Sequence, residues 1–409
     1  MNTICLSMIV KNESHIIEKT LENICNYINL SYWVISDTGS TDNTVELIED
    51  FFRRKGIKGE ISYDKWENFA HNRNLSLEKC LGKSDYILFF DADDYIQGDF
   101  KLPKILDKDA YYFQLKGEND AVSYQRTLLV KNNGNFSWRG VLHEFLEHKN
   151  PIVQGNILGN YAVISGRLGD RNKDPKQKYL NDATVLEKAI LNKQDPDLLA
   201  RYMFYCAQSY RDAGLFEKAA EWYLKRIEAG GWIEEVTCAY ENLGKCYEEL
   251  GEKQTALHYW LLGYDYNPNR AECLYNAVRL LRCDGKTRLG YQLGLIAKNM
   301  PYPKNDILFV KSDIYHYWIY YELSICTCYV GDFKLGYECC EKVLLTDPHN
   351  DIIVGTTINN LQFYKQEAVN FRENLAKVIG IIEDYLVRFP QSAESHKETL
   401  EYLRNISAH

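Results

Sequence analysis

The sequence has no long apolar run. No uncharged stretch approaches the ~18–20 residues that a bilayer-spanning helix needs, so a transmembrane segment is not expected. The opening residues, MNTICLSMIVKNESHI, have no basic segment leading into a long apolar core and a small-residue cleavage site. They do not read as a signal peptide, and a cytoplasmic, reducing location is the expectation. No Cys-x-x-Cys pair occurs among the twelve cysteines, which removes the usual zinc and dithiol motifs. Most of those cysteines sit in helical stretches as small hydrophobes. Positive charge is also short. Lys and Arg number 48 against 57 Asp and Glu, for a net charge of −9. A general nucleic-acid binder needs a clustered positive field, so nucleic acid is not an expected partner.

What remains is ordinary globular material, with 45% hydrophobic and 26% charged residues. The 409 residues allow two or three domains. Tyrosine is abundant at 31 copies. The expected fold class is an α/β, Rossmann-like domain followed by an all-α helical repeat domain, with bounds 1–170 and 180–409.

In the first part, short apolar runs at 3–10, 32–36, 59–63 and 85–90 alternate with amphipathic stretches. Three of the runs are nearly continuously apolar, as in strands covered on both faces of a parallel sheet. Ile17, Leu21, Ile24 and Ile28 recur at helical spacing, with Asn12 or Ser14 as caps. A second helix is expected after Asp42, with Val45, Ile48 and Phe52 on one stripe, and a third near 68–80. The order βαβαβαβ implies a mostly parallel sheet. Ligands then bind beyond the carboxyl ends of the strands. The polar segment 166–182 marks the domain boundary.

From about 180 the pattern is helical, with a repeat. Gly214, Gly251, Gly285 and Gly331 are each followed five residues later by Ala219, Ala256, Gly290 and Gly336. The first steps are 34 to 37 residues and the last is longer. Prolines 268, 301 and 348 close the later units. This is the period of tetratricopeptide helix–turn–helix repeats. The glycine ends one helix, the small residue lets two helices approach, and proline stops the second. Stacked units leave a concave surface. Its tyrosines suit peptide or sugar contact, although packing between helices is their commoner use.

Four polar motifs fall at the carboxyl ends of the expected strands. SDTGSTDNT (36–44) places Asp37 at a strand end, as a turn residue or as an acceptor for a nucleotide base. WENFAHNRN (66–74) carries Arg73, a planar donor for a base or a phosphate. DYILFFDADD (85–94) ends a buried strand in three carboxylates within four residues. Such charge is costly unless a cation neutralises it. Asp91 and Asp93 suit a hard divalent ion, Mn2+ or Mg2+, which would in turn hold a diphosphate. FSWRGVLHEFLEH (136–148) offers His143 to the same ion and Glu144 as a general base, against the plainer reading of a structural histidine.

Taken together, SMIVKNE (7–13), DTGSTDNT (37–44), FAHNRN (69–74) and DADD (91–94) resemble family 2 glycosyltransferases of the GT-A fold. The match is to a bacterial and viral subgroup with tetratricopeptide repeats after the catalytic domain. GGWIEE (230–235) and NPNRAECLY (267–275) are similar to that subgroup's repeat region. The resemblance implies inverting transfer of a hexose from a nucleotide sugar, usually a UDP-sugar. It implies that Val10 and Glu13 border the nucleoside, Asp37 meets the base, and Arg73 meets base or phosphate. Asp91 and Ala92 then line the donor, and Asp91 and Asp93 form the metal-binding D-x-D pair, with His143 loosely at a third ligand position. Many members carry the base as an acidic pair downstream. No clear Glu-Asp pair occurs here, so Glu144 is the first choice and Asp120, behind Glu118, the second.

Two other readings stay open. One is a non-catalytic repeat scaffold whose α/β domain only binds nucleotide. The other is a nucleotidyltransferase, which expects a Gly-rich phosphate loop that VKNESH lacks. Repeat arrays bind extended peptides, which favours a protein acceptor over a glycan or lipid-linked one. Assembly into a homo-oligomer is left open.

Overall fold

The computed structural model describes residues 2–117, 123–165, 174–346 and 350–408. By its internal contacts the chain divides into two compact units, Met1–Trp222 and Tyr223–His409.

The first unit is built on β1 (Ile4–Val10), with β2 (Tyr32–Asp37) and β4 (Tyr86–Phe89) hydrogen-bonded in parallel on either side. β3 (Gly59–Tyr63) adds in parallel beyond β2. Alternation along a strand sends successive side chains to opposite faces. Ile4, Leu6, Met8 and Val10 accordingly join Ile17, Leu21, Ile48 and Phe52 of α1 (Ile17–Tyr27) and α2 (Thr44–Lys55). Cys5 goes the other way and joins Ala70, Leu77 and Cys80 of α3 (Phe69–Cys80). Neither Asn12 nor Ser14 caps α1, which starts without a side-chain cap. The Asn12 side chain instead accepts the Thr41 N–H, at 2.8 Å, and ties the first two strand-end loops together.

Residues 94–165 were not expected to be strands, yet they form seven: β5 (Asp94–Gly98), β6 (Ala110–Gly117), β7 (Ser123–Lys131), β8 (Phe136–Arg139), β9 (Phe145–His148), β10 (Gln154–Asn156) and β11 (Tyr161–Ser165). The main sheet runs β3-β2-β1-β4-β7-β6-β11-β5, with β10 on β6, and β8 and β9 form a separate hairpin. The sheet is parallel through β4 and mixed beyond it, because β4–β7, β6–β7 and β11–β5 are antiparallel. Hairpin-type returns need no crossover helix, so the βαβ rhythm stops there. α4 (Pro175–Leu191) and α5 (Leu199–Asp212) complete this unit, and the division falls within α6 (Phe216–Ala229).

The second unit is helical: α7 (Ile233–Glu249), α8 (Lys253–Tyr266), α9 (Glu272–Cys283), α10 (Thr287–Lys298), α11 (Ile319–Val330), α12 (Phe333–Thr346), α13 (Asp351–Leu361), α14 (Arg372–Arg388) and α15 (Ala393–Ser407). Gly214, Gly251, Gly285 and Gly331 all have φ between +72° and +81°, the left-handed helix end the repeat pattern calls for. Ala219 and Ala256 are fully buried. A Cβ on Gly336 would stand 2.3 Å from the Tyr364 ring. Pro268 and Pro301 follow the ends of α8 and α10; Pro348 lies outside the described residues.

The longer last repeat step is taken up by residues 301–313. Their backbone is held by charged side chains, the partly buried Glu234 and the buried Arg270. Glu234 accepts the N–H groups of Ile307 and Leu308, both at 2.8 Å, and Arg270 donates to the carbonyls of Leu308 and Phe309. Among the abundant tyrosines, Tyr202, Tyr223, Tyr337 and Tyr364 are buried packing positions.

Because Tyr364 is buried and cannot yield, Gly336→Ala is expected to lower stability by roughly 1–3 kcal/mol. Gly380 is exposed within α14 and a Cβ there meets nothing within 4 Å. Gly380→Ala is therefore expected to raise stability by about 0.5–1 kcal/mol. Urea unfolding of the two variants beside the parent checks both signs.

Candidate active site at the strand ends

β1, β2 and β4 end side by side, so the loops after them share one edge of the sheet. The loops after β1 and β2 are joined by Asn12 N–H to Ser40 Oγ (3.0 Å) and Glu13 N–H to Thr44 Oγ1 (2.8 Å). Val10 is buried, and its carbonyl accepts from the Thr38 N–H and hydroxyl, both at 3.0 Å. The buried Asp37 carboxylate accepts the N–H groups of Gly39 (3.3 Å) and Ser40 (3.1 Å), so it shapes its own turn. Ala92 is buried, and its carbonyl accepts from Thr20 Oγ1 at 2.7 Å.

The chemistry gathers around Arg73. Asn68 caps α3 by accepting the His71 N–H, and Arg73 lies in the following turn, buried. Its Nη2 donates to Asp91 Oδ1 at 2.6 Å and its Nε to Glu144 Oε1 at 2.9 Å. A second arginine completes the group. Arg126 Nη1 donates to Asp91 Oδ2 at 3.4 Å, and its Nη2 lies 3.9 Å from Glu144 Oε1. Sheet register explains the meeting. Leu88 pairs with Leu129 across the antiparallel β4–β7 ladder, and three residues further along lie Asp91 and Arg126. Both guanidinium groups face the Trp138 ring, at 5.0 and 5.6 Å from its centroid. Asn74 holds Trp138 through its backbone N–H and carbonyl, at 2.7 and 2.8 Å.

The quartet balances two positive against two negative charges. Burial would raise the Asp91 carboxyl, but the charges of Arg73 and Arg126 outweigh it and bring it down to about 2. Glu144 is likewise lowered, burial being overcome by the same arginines. Asp94, buried at the start of β5, goes the other way. Burial, then repulsion from Asp91 and Asp93, raises its carboxyl well above the usual range.

The cation demanded by the acidic strand end is thus supplied by arginine side chains. Arg126, Trp138 and Asp94 carry much of this arrangement and were not singled out from the sequence. The carboxylate excess itself was the available signal for a basic partner.

The expected metal set of Asp91, Asp93 and His143 is not assembled. Asp91 is committed to arginines, and half-buried Asp93 sits on the turn between β4 and β5. The His143 ring stacks on Tyr205 at 3.9 Å and 14°. Among the described residues no three His, Cys, Asp or Glu side chains could together hold an ion. These side chains therefore do not fit Mn2+ or Mg2+ as arranged. Asp120 and Glu118 lie outside the described residues.

A parallel sheet with charged groups converging beyond adjacent strand ends is the layout of a nucleotide-binding α/β domain. Residues 5–175 match the model of Glycosyl transferase family 2, and this part of the chain is a glycosyltransferase domain of that family, followed by tetratricopeptide-like helical repeats. No curated protein matches the chain. Among solved structures, S. aureus TarS (residues 1–349, in complex with UDP-GlcNAc) is 14% identical, covering 62% of this chain and 89% of that one, with a TM-score of 0.31. BtubC from P. vanneervenii is 15% identical, covering 56% and 90%, with a TM-score of 0.38. YrrB, a TPR protein with an unusual peptide-binding site, is 16% identical, covering 46% and 94%, with a TM-score of 0.32. No helix among the described residues is long and apolar enough to cross a membrane.

A carboxylate lowered by folding stabilises the fold above its unfolded pKa, and that contribution is lost as pH falls through its folded pKa. For Asp91 the window runs from the ordinary carboxyl value of 3.8 down to about 2. Arg126→Ala removes one of its two cationic partners and should cost on the order of 1–2 kcal/mol at pH 7. The difference from the parent should shrink as pH falls from 4 to 2. Urea unfolding at pH 7, 4 and 2.5 measures it.

Proposed function

We propose that the protein transfers a hexose from a nucleotide sugar, a UDP-sugar by preference, to an acceptor hydroxyl on a protein, with inversion at the anomeric carbon. The observation that carries this reading is the pair of guanidinium groups, Arg73 and Arg126, gathered against the Trp138 ring beyond the end of β4. In a single displacement the acceptor oxygen bonds to the anomeric carbon. The bond from that carbon to the diphosphate oxygen breaks, and its electron pair leaves with the diphosphate. Planar, permanently charged donors suit the charge growing there. Val10, Glu13, Asp37 and Ala92, at the adjoining loops, are the proposed border of the nucleoside.

The acceptor's proton passes to a carboxylate, Glu144 or Asp120. The arginines lower the proton affinity of Glu144, which favours its use in holding Arg73 over its use as a base. No step is assigned to Mn2+ or Mg2+, because the proposed ligands do not gather. A protein acceptor is supported by the repeat array, whose stacked units favour extended peptides.

The test is nucleotide release from UDP-, GDP- and CMP-sugars, with candidate peptide and glycan acceptors, with Mn2+ and with chelator. Release from one UDP-sugar is expected, with Arg126→Ala lowering turnover about 100-fold or more under conditions where it stays folded. Parental turnover of Arg126→Ala would overturn the reading that the paired guanidinium groups carry the transfer. Nucleotide binding without release under any acceptor would favour the scaffold reading.

A further inference from the structure

The segment between β8 and β9 carries Glu144 into the quartet, and its backbone is not one it would choose alone. Gly140 has φ +106° and His143 φ +52°. A non-glycine residue in the left-handed region persists where its surroundings hold it, and such residues cluster at functional sites. Here the surroundings are α5. Tyr202 Oη accepts the Val141 N–H at 3.2 Å and donates to Asp195 Oδ2 at 2.7 Å. Arg201 Nη2 donates to the His143 carbonyl at 3.0 Å. The Tyr205 ring lies flat on the His143 imidazole, and the Arg201 guanidinium lies over Tyr205 (4.9 Å) and Phe145 (5.3 Å). Upstream, Arg139 at the end of β8 donates to Asp197, just before α5, at 2.8 Å.

We infer that Tyr205, with Arg201 and Tyr202, is a positioning residue for the candidate active site: α5 clamps residues 140–144 so that Glu144 holds Arg73 and Arg126 in register. None of the three belongs to the quartet. They act through the strained turn, one residue away from Glu144. His143 then serves as the pin that Tyr205 grips. What the quartet binds rests on the donor reading above; the clamp itself does not.

The experiment uses the full chain and compares Tyr205→Leu, Tyr205→Phe and Tyr202→Phe with the parent. Backbone hydrogen exchange is followed over 139–146, and UDP affinity is measured by calorimetry. Tyr205→Leu removes the stack and should speed exchange in that segment while leaving β1 and β4 protected. It should weaken UDP about tenfold. Tyr205→Phe keeps the stack and should restore both. Tyr202→Phe should speed exchange chiefly at Val141, and it decides the matter if Tyr205→Leu lowers overall stability. Parental exchange over 139–146 in both Tyr205→Leu and Tyr202→Phe would overturn the clamp. Faster exchange with parental UDP affinity would overturn its link to the site. If the parent binds no UDP, the donor reading fails, and the exchange data still decide the clamp.

Discussion

Asp91 stands at the end of a buried strand, and the way its charge is balanced organises the first unit. A carboxylate drawn into the protein without a partner is expensive, and two guanidinium groups meet the partly buried Asp91 here. Arg73 comes from α3 and Arg126 from β7, so the balance requires the parallel and antiparallel parts of the sheet to meet in one register. Trp138 covers both cations with an apolar, polarisable face, and Glu144 closes the circuit on Arg73. Arg73 pairs with both carboxylates, so its removal would leave Asp91 and Glu144 with only the longer contacts to Arg126. Such a quartet contributes less through its summed attraction than through the single arrangement it permits.

The same logic shapes the turn that supplies Glu144. Its carboxylate is useful only at one place, and the backbone conformation that takes it there is held by Tyr202, Arg201 and Tyr205 from outside the sheet. α5 belongs to the helical part of the sequence, yet its contacts are with the first unit. Sequence pattern and compact unit therefore divide the chain at different places. The repeat's helical period continues through a helix that packs on α4 and on the β8–β9 turn, within the first unit.

In the second unit, steric fit does what charge does in the first. A left-handed glycine turns the chain and a small residue five positions on lets the next helix close in. At Gly336 the room vacated by a side chain is filled by Tyr364. Where the period lengthens, before Gly331, the added chain is not left loose. Glu234 and Arg270 tie down its backbone N–H and carbonyl groups.

Local pattern by itself determined the first four strands, the three helices between them and the repeat glycines, because burial on both faces, helical spacing and left-handed turns each leave a short-range mark. It also singled out Asp91, since paired carboxylates at a strand end are conspicuous; Arg73 was read as a planar donor at a helix start and Glu144 as a candidate base. The later strands left a fainter mark: FSWR and QGN are too short for a period to show, and YQRTLLV turns from polar to apolar without alternating. Arg126 became Asp91's partner only through the β4–β7 register, a pairing between residues 35 apart in sequence. His143 was read as a metal ligand from its composition and place, and Tyr205, 62 residues on, decided otherwise. Charge partners and stacking partners are set by which strands and helices become neighbours. That is a property of the tertiary structure, because the free energy of burying a charge depends on everything that surrounds it.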